Sequence, residues 1–423
     1  MQKVLVITYY WPPAGGPGVQ RWLKFVKYLP EFGIEPIVFI PKNPHYPLKD
    51  QNLVMEVSDA IRVIRYPIFE PYALASFLSR KKTNRISSGL IQNNKNQSFL
   101  ERFLLWIRGN LFIPDARKFW VSPSIRFLKK IIEEENIQNI ITTGPPHSVH
   151  LIGLGLQKKL DIKWIADFRD PWTSIGYHKK LKLTKNAEQK HKRLEQKVLQ
   201  SANVIVVTSQ TTKQEFGRLT RRPISVITNG FDFDARPLPS PEKFTISHIG
   251  SLLTERDPHM LWAALRELID ERTEFKENFC LNLVGIVGQD VLKSIEDYGL
   301  GAYAEFKGYV PHDEVVIHQT GAQVLLLVEI DSEDTTGIIP GKLFEYFRVG
   351  RPILAIGPNK WEAGIMVKNH KAGAFFTHQD KNGIKKQLLH WFIQYQSGNL
   401  SSNSENIEKY HRRELTKQLA QLI

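Results

Sequence analysis

Thirteen short apolar runs recur along the 423 residues, with helix-like segments between them, and this alternation limits the fold more than any other feature. In the first half the runs lie at residues 3–9, 36–40, 62–64, 139–142, 163–167, 203–207 and 225–228. In the second they lie at 245–249, 280–284, 305–307, 323–328, 352–356 and 374–376. Strands joined through helices pair in parallel, so the pattern means βαβ units and a doubly wound α/β sheet, built twice. The stretch NGFDFDARPLPSPEK at 229–243 holds three prolines and reads as the linker between two domains. The expected division is residues 1–235 and 236–404, with a charged helix at 405–423 packing back on the first domain. Residues 83–98, rich in Asn, Ser and Gln, read as a mobile loop.

Composition excludes several classes. The chain is 42% hydrophobic and 24% charged, as in ordinary globular proteins, and its single cysteine, Cys280, supports neither an internal disulfide nor a cysteine metal cluster. The opening MQKVLVITYYWPPAGG is too short in its apolar part for a signal peptide, and no run reaches the ~18 apolar residues of a membrane span. A cytoplasmic protein, at most peripheral on the inner face of a plasma membrane, is expected. The net charge of +14 is local. Residues 80–130 hold twelve Lys and Arg against Glu101 and Asp115, and residues 177–197 hold eight against Glu188 and Glu195. The first half therefore calls for an anionic partner: a membrane, a nucleic acid or a phosphorylated acceptor.

Doubly wound sheets bind ligands beyond the carboxyl ends of their strands, and the polar motifs stand there. PPAGGPG (12–18) follows the first run and precedes a helix; its glycines either let backbone N–H groups reach an anion or make a tight turn. It is not GxGxxG, which argues against a dinucleotide. In TTGPPHSVH, His147 opens a helix and His150 lies one turn on, and each is either structural or catalytic. In ADFRDPW, Asp167, Arg169 and Asp170 crowd one buried strand end, a costly arrangement unless the charges are paired or used. Arg169 and Asp170 are accordingly candidates for function, with an internal salt bridge as the alternative.

In HIGSLLTERDPHML (248–261), Gly250 ends a strand and Arg256 precedes a helix start at Asp257 and Pro258. A guanidinium there suits a diphosphate. In IIPGKLFEYFRVGRPILAIG (338–357), Pro340 opens a short helix and Gly350 closes it. Lys342 and Glu345 share one face while Phe344 and Phe347 turn inward. A solvated ion pair is the plain alternative.

Taken in order, the Gly15-Gly16 loop, VITNGFD (226–232), HIGSL (248–252), FKGYVP (306–311) and PGKLFEYFRVGRPILAIG resemble a GT-B glycosyltransferase, most closely the family 4 nucleotide-sugar transferases. The resemblance covers nearly the whole chain. It implies two Rossmann-like domains facing a cleft, a nucleoside-diphosphate sugar held by the C-terminal domain, an acceptor on the N-terminal one, and a retaining transfer. Glu345 matches the second glutamate of the family's Glu-x7-Glu motif, which takes the donor ribose hydroxyls. Lys342 and Arg256 match the cations on the diphosphate, with Gly250, Ser251 and Leu343 beside them. Gly15 and Gly16 match the loop whose backbone faces the phosphate. His147, Arg169 and Asp170 fall where the family keeps acceptor-side and catalytic groups. The first glutamate of the motif is replaced by Gly337, so its sugar contact is absent or comes from the acidic loop IDSEDTTG (330–337). With two cations on the diphosphate, no metal and no other cofactor is expected.

The acceptor implied is a saccharide or a lipid-linked saccharide, as in bacterial surface polysaccharide assembly. Segment 99–130 mixes Phe, Leu and Trp with Arg and Lys, which suits either a solvated basic helix over the core or a face on anionic lipid. Three other readings stay open. A GT-B sugar-nucleotide epimerase would share the donor site without needing a basic, aromatic acceptor domain. A nucleic-acid-binding protein would use the charge but leave the sugar-nucleotide motifs idle, and no nucleic-acid-binding motif is evident. A non-catalytic transferase would explain Gly337.

Overall fold

The computed structural model describes residues 1–70, 99–179, 181–232, 242–310, 312–402 and 404–423. The expected loop at 83–98 and most of the expected linker lie outside the described residues. The chain divides into one unit of Met1–Asn229 with Arg412–Ile423 and a second of Gly230–His411.

The first unit is a seven-stranded parallel sheet of β1 (Gln2–Ile7), β2 (Ile34–Pro41), β3 (Arg62–Tyr66), β4 (Asn139–Gly144), β5 (Lys163–Phe168), β6 (Val204–Val207) and β7 (Ile224–Val226), in the order β3-β2-β1-β4-β5-β6-β7. Val4 to Ile7 are wholly buried, as expected of a central strand covered by helices on both faces. The first run stops at Ile7 rather than residue 9, because Thr8 to Trp11 turn out of the sheet toward two prolines. Helix α1 (Pro17–Tyr28) starts on a proline after Gly16, whose φ of +105° only glycine adopts readily, and buries Val19, Trp22, Leu23, Phe25 and Val26. Four further helices matter below: α2 (Phe99–Asn110), α3 (Lys118–Glu134), α4 (Ser148–Gln157) and α5 (Lys185–Ser201). The last helix, Arg412–Ala420, lies in this unit and adds Leu415 and Leu419 to its core.

The second unit is a six-stranded parallel sheet of β8 (Phe244–Ile249), β9 (Phe279–Val284), β10 (Ala304–Gly308), β11 (Val324–Val328), β12 (Ile353–Gly357) and β13 (Gly373–Thr377), in the order β10-β9-β8-β11-β12-β13. Helix α6 (His259–Glu271) covers one face with Trp262, Leu265 and Leu268, and α7 (Lys342–Val349) covers the other with Phe344 and Phe347. Helix α7 ends as its sequence requires, on Gly350 at φ +71°. In each sheet the strand order reverses at one place, between β1 and β4 and between β8 and β11. Loops diverge there and leave a crevice, which locates each candidate site.

Candidate functional site

At the reversal in the first unit, the loop after β1 meets the loops after β4 and β5. Gly15 is a packing residue: its N–H donates to the Leu48 carbonyl at 3.1 Å, and an added Cβ would lie 3.1 Å from the Leu48 side chain. Its amide is therefore engaged within the protein. Gly16 keeps open space around it and caps α1. Gly18 turns out to matter as well. A Cβ there would fall 1.3 Å from Arg169 Nη1, so the guanidinium occupies the place of a side chain at position 18. Arg169 Nη2 donates to the Pro145 carbonyl at 2.6 Å, tying the start of α1 to the loop carrying His147.

The three charges at the end of β5 separate into different tasks. Asp167 is structural. Its carboxylate accepts from Arg21 Nη2 (3.0 Å), Trp22 Nε1 (2.8 Å) and Thr143 Oγ1 (2.8 Å), all buried. Arg21 also donates to the carbonyls of Ile227 and Thr228, so the pair clamps α1, β5 and the residues after β7. Asp170 is partly buried, and burial raises its carboxyl above the usual range while Arg169 pulls it back.

His147 is 5% exposed and stacks flat on Trp172, with ring centroids 5.0 Å apart. Burial, then His150 and Arg169, push its pKa well below the ordinary value, so the ring is neutral at pH 7. Both of its nitrogens are buried without a hydrogen-bond partner among the described residues. His150 is held structurally by Thr142 Oγ1 at 2.9 Å, and burial lowers its pKa to about 3. The N-terminus of α4 is filled by Asp115, which takes the N–H and hydroxyl of Ser148. The basic segment 177–197 is not all solvated: Glu195 and His191 of α5 are buried, and hold the backbone of Trp172 and Thr173 and the Trp172 indole.

At the reversal in the second unit, β8 ends on His248 and Ile249, and Gly250 follows. Gly250 has φ +115°, and Gly285, also at +115°, approaches so closely that a Cβ on it would lie 2.6 Å from the Gly250 carbonyl. Lys342 reaches this turn from α7. Its Nζ donates to the Ile249 carbonyl at 3.0 Å and lies 3.2 Å from His248 Nε2. His248 Nδ1 is 3.1 Å from the Leu326 carbonyl, which fixes the tautomer: Nδ1–H donates to it, and Nε2 accepts from the ammonium. Burial and then Arg256 lower the Lys342 pKa to about 7, with Glu329 and Glu345 opposing. A poised ammonium at a strand end is thus held by the backbone and one neutral histidine.

Glu345 is partly buried on the same helix, and its Oε2 accepts from Gln319 Nε2 at 2.7 Å. Arg256 is paired with Glu329 at the end of β11, at 3.0 Å from Nε and 2.9 Å from Nη2. Ser251 is exposed beside Gly250. The Leu343 side chain is wholly buried, and its amide donates to the Pro340 carbonyl. In the acidic loop, Asp331 is engaged by Gln379 Nε2 at 2.8 Å.

The structure therefore gathers Gly18, His147, Arg169 and Asp170 in one crevice, and Gly250, Arg256 and Lys342 with Glu345 in another. Sequence reasoning overlooked Gly18, Arg21, His248 and Glu329. Glu329 carried the same signal as Asp167, a charge closing a wholly apolar run (LLLVE), and was legible by that rule.

Residues 90–235 match the sequence family Glycosyltransferase Family 4. No curated protein matches the chain significantly. Among solved structures, sucrose-phosphate synthase from Thermosynechococcus elongatus is similar, with a TM-score of 0.63 at 15% identity, covering 100% of this chain and 98% of the other. The Anabaena protein Alr3699/HepE, solved with UDP and glucose, gives 0.62 at 14% identity over 100% and 99%. The apo lipopolysaccharide outer core galactosyltransferase WaaB gives 0.60 at 14% over 100% and 99%. At such identities these likenesses establish the fold.

Proposed function

We propose that this chain, a glycosyltransferase of the GT-B type, moves a sugar from a nucleoside-diphosphate donor held by its second unit to a saccharide or lipid-linked saccharide held by its first. The observation that carries the reading is the Lys342 ammonium fixed at the Gly250 turn, with Glu345 on the same helix. The Glu345 carboxylate accepts from the two ribose hydroxyls, and Lys342 and Arg256 face the diphosphate. The acceptor hydroxyl oxygen bonds to the anomeric carbon as the bond from that carbon to the diphosphate breaks, and the hydroxyl proton passes to the departing diphosphate. Negative charge then grows on the leaving group, where a preorganised cation lowers the barrier most. His147, Arg169 and Asp170 serve the acceptor side. Retention of configuration is proposed on the family match of residues 90–235. The similar Anabaena protein was solved with UDP and glucose, which supports a uridine donor. WaaB is a lipopolysaccharide outer core galactosyltransferase, which supports a role in surface polysaccharide assembly.

With two cations on the diphosphate, the reaction needs no divalent metal. The test is release of nucleoside diphosphate from a panel of sugar nucleotides, with and without saccharide acceptors, in EDTA. Acceptor-dependent release unaffected by EDTA is the expected result. A changed sugar nucleotide with no acceptor requirement would indicate an epimerase, and activity restored only by Mg²⁺ or Mn²⁺ would contradict the role of the cations.

The acceptor-side unit also carries a basic, aromatic surface. Leu105 and Trp120 of α2 and α3 are core, but Phe69, Phe103, Trp106, Leu111 and Phe119 are exposed. Lys118 Nζ lies 5.4 Å from the Phe112 ring and 5.1 Å from that of Phe119, and Arg102 is exposed beside Phe103. Among the described residues no helix is long and apolar enough to cross a membrane. We assign this surface to anionic lipid, where each cation contributes about 1 kcal/mol and the aromatics enter the headgroup layer. Sedimentation with anionic vesicles at low salt should carry the protein down, and neutral vesicles should not. Equal recovery with both would leave a soluble acceptor.

A further inference from the structure

Glu329, at the carboxyl end of β11, is wholly buried, and the donor-site reading gives it no role. Its Oε1 accepts from Arg256 Nε at 3.0 Å and from the Ile330 N–H at 2.8 Å, and Arg256 Nη2 lies at ion-pair distance, 2.9 Å. Its Oε2 is buried with no partner among the described residues. The carbonyl of the same residue accepts from His378 Nε2 at 2.7 Å, so the strand end is pinned on two sides.

An orphaned carboxylate oxygen opposes folding, because its lost hydration is not replaced. A buried ion pair is in general weak evidence of a stabilising device, and here the partly exposed Arg256 guanidinium stays hydrated when the Glu329 charge is removed. What the arrangement does provide is a fixed guanidinium. Arg256 keeps a side-chain exposure of 29% against 0% for Glu329, so the pair is an anchored base with an open end. Nε and Nη2 both rest on one oxygen, which leaves Nη1 as the nitrogen not taken up by that carboxylate. A flexible arginine must lose rotamer freedom when it grips an anion, and one already held loses much less.

We infer that Glu329 is a positioning residue that presets Arg256 for the diphosphate of the donor. The inference rests on the donor-site reading above. It differs from a purely structural pair in what it predicts: affinity for the nucleotide should change through Arg256, without a loss of stability.

The experiment is calorimetric titration of the full chain with UDP, GDP and ADP, followed by the tightest of them against Glu329→Gln, Arg256→Ala and the double variant, with melting temperatures for all. Glu329→Gln keeps the shape and one acceptor oxygen. It should bind roughly three- to tenfold more weakly, the scale of ordering one long side chain, with an unchanged or raised melting temperature. On the Arg256→Ala background the same change should have no effect, because the two residues act as one unit. Unchanged or tighter binding by Glu329→Gln overturns the inference, and so does an equal loss on both backgrounds. A wild-type chain that binds none of the three nucleotides overturns the donor-site reading, and this inference with it.

Discussion

Replacing Asp167 by Ala should remove about 3–5 kcal/mol of stability from the first unit, the usual cost of leaving a buried charge without its partner. Arg21 is 1% exposed and has the Asp167 carboxylate as its ion-pair partner at 3.0 Å. Without it the guanidinium keeps the Ile227 and Thr228 carbonyls, but its charge is uncompensated. Trp22 Nε1 and Thr143 Oγ1 lose their acceptor at the same time. Urea unfolding followed by circular dichroism measures the change. A loss below about 1 kcal/mol, the scale of an exposed ion pair, would show that Arg21 is compensated in another way.

The largest expected effect on turnover comes from Lys342. Replacing it by Met keeps the apolar stem and removes the ammonium held at the Gly250 turn. By analogy with a lost oxyanion donor, kcat should fall by about 10²–10³. The pH dependence has a definite sign. Burial and Arg256 place the Lys342 pKa at about 7 in the free protein, so the group discharges above that pH. A bound diphosphate favours the charged form and must draw a proton when binding occurs at higher pH. Donor affinity should therefore fall as pH rises through 7 in the wild type, and this slope should vanish in Lys342→Met. Steady-state kinetics and titrations across that range decide it, and a pH-independent wild type would place the ammonium elsewhere.

Much of the fold could be read from the chain because parallel strands buried on both faces are written as continuous apolar runs. VLVI at the centre of the first sheet and VLLLV in the second are examples. The short helix from Lys342 to Val349 was equally legible, since its glycine stop and its inward Phe344 and Phe347 follow local rules. In the candidate site, a residue's place was legible where it depends on position along the chain, as for Lys342 at the start of that helix. It was not legible where the task depends on a partner far away. ADFRDPW shows three charges at one strand end, and nothing local reveals that Asp167 pairs with Arg21, 146 residues earlier, rather than with Arg169. The glycine at 18 reads as part of a turn until Arg169 is seen lying across it. Nor does the Gly15-Gly16 pair reveal locally that the Gly15 N–H is given to the Leu48 carbonyl.

The central claim is that a nucleoside diphosphate binds the second unit with its ribose on Glu345. Calorimetry of the wild type and Glu345→Ala against the same nucleotide tests it most directly. Losing charged hydrogen bonds to the ribose should weaken binding by about 1–3 kcal/mol. Equal affinity of the two proteins would contradict the placement of the donor.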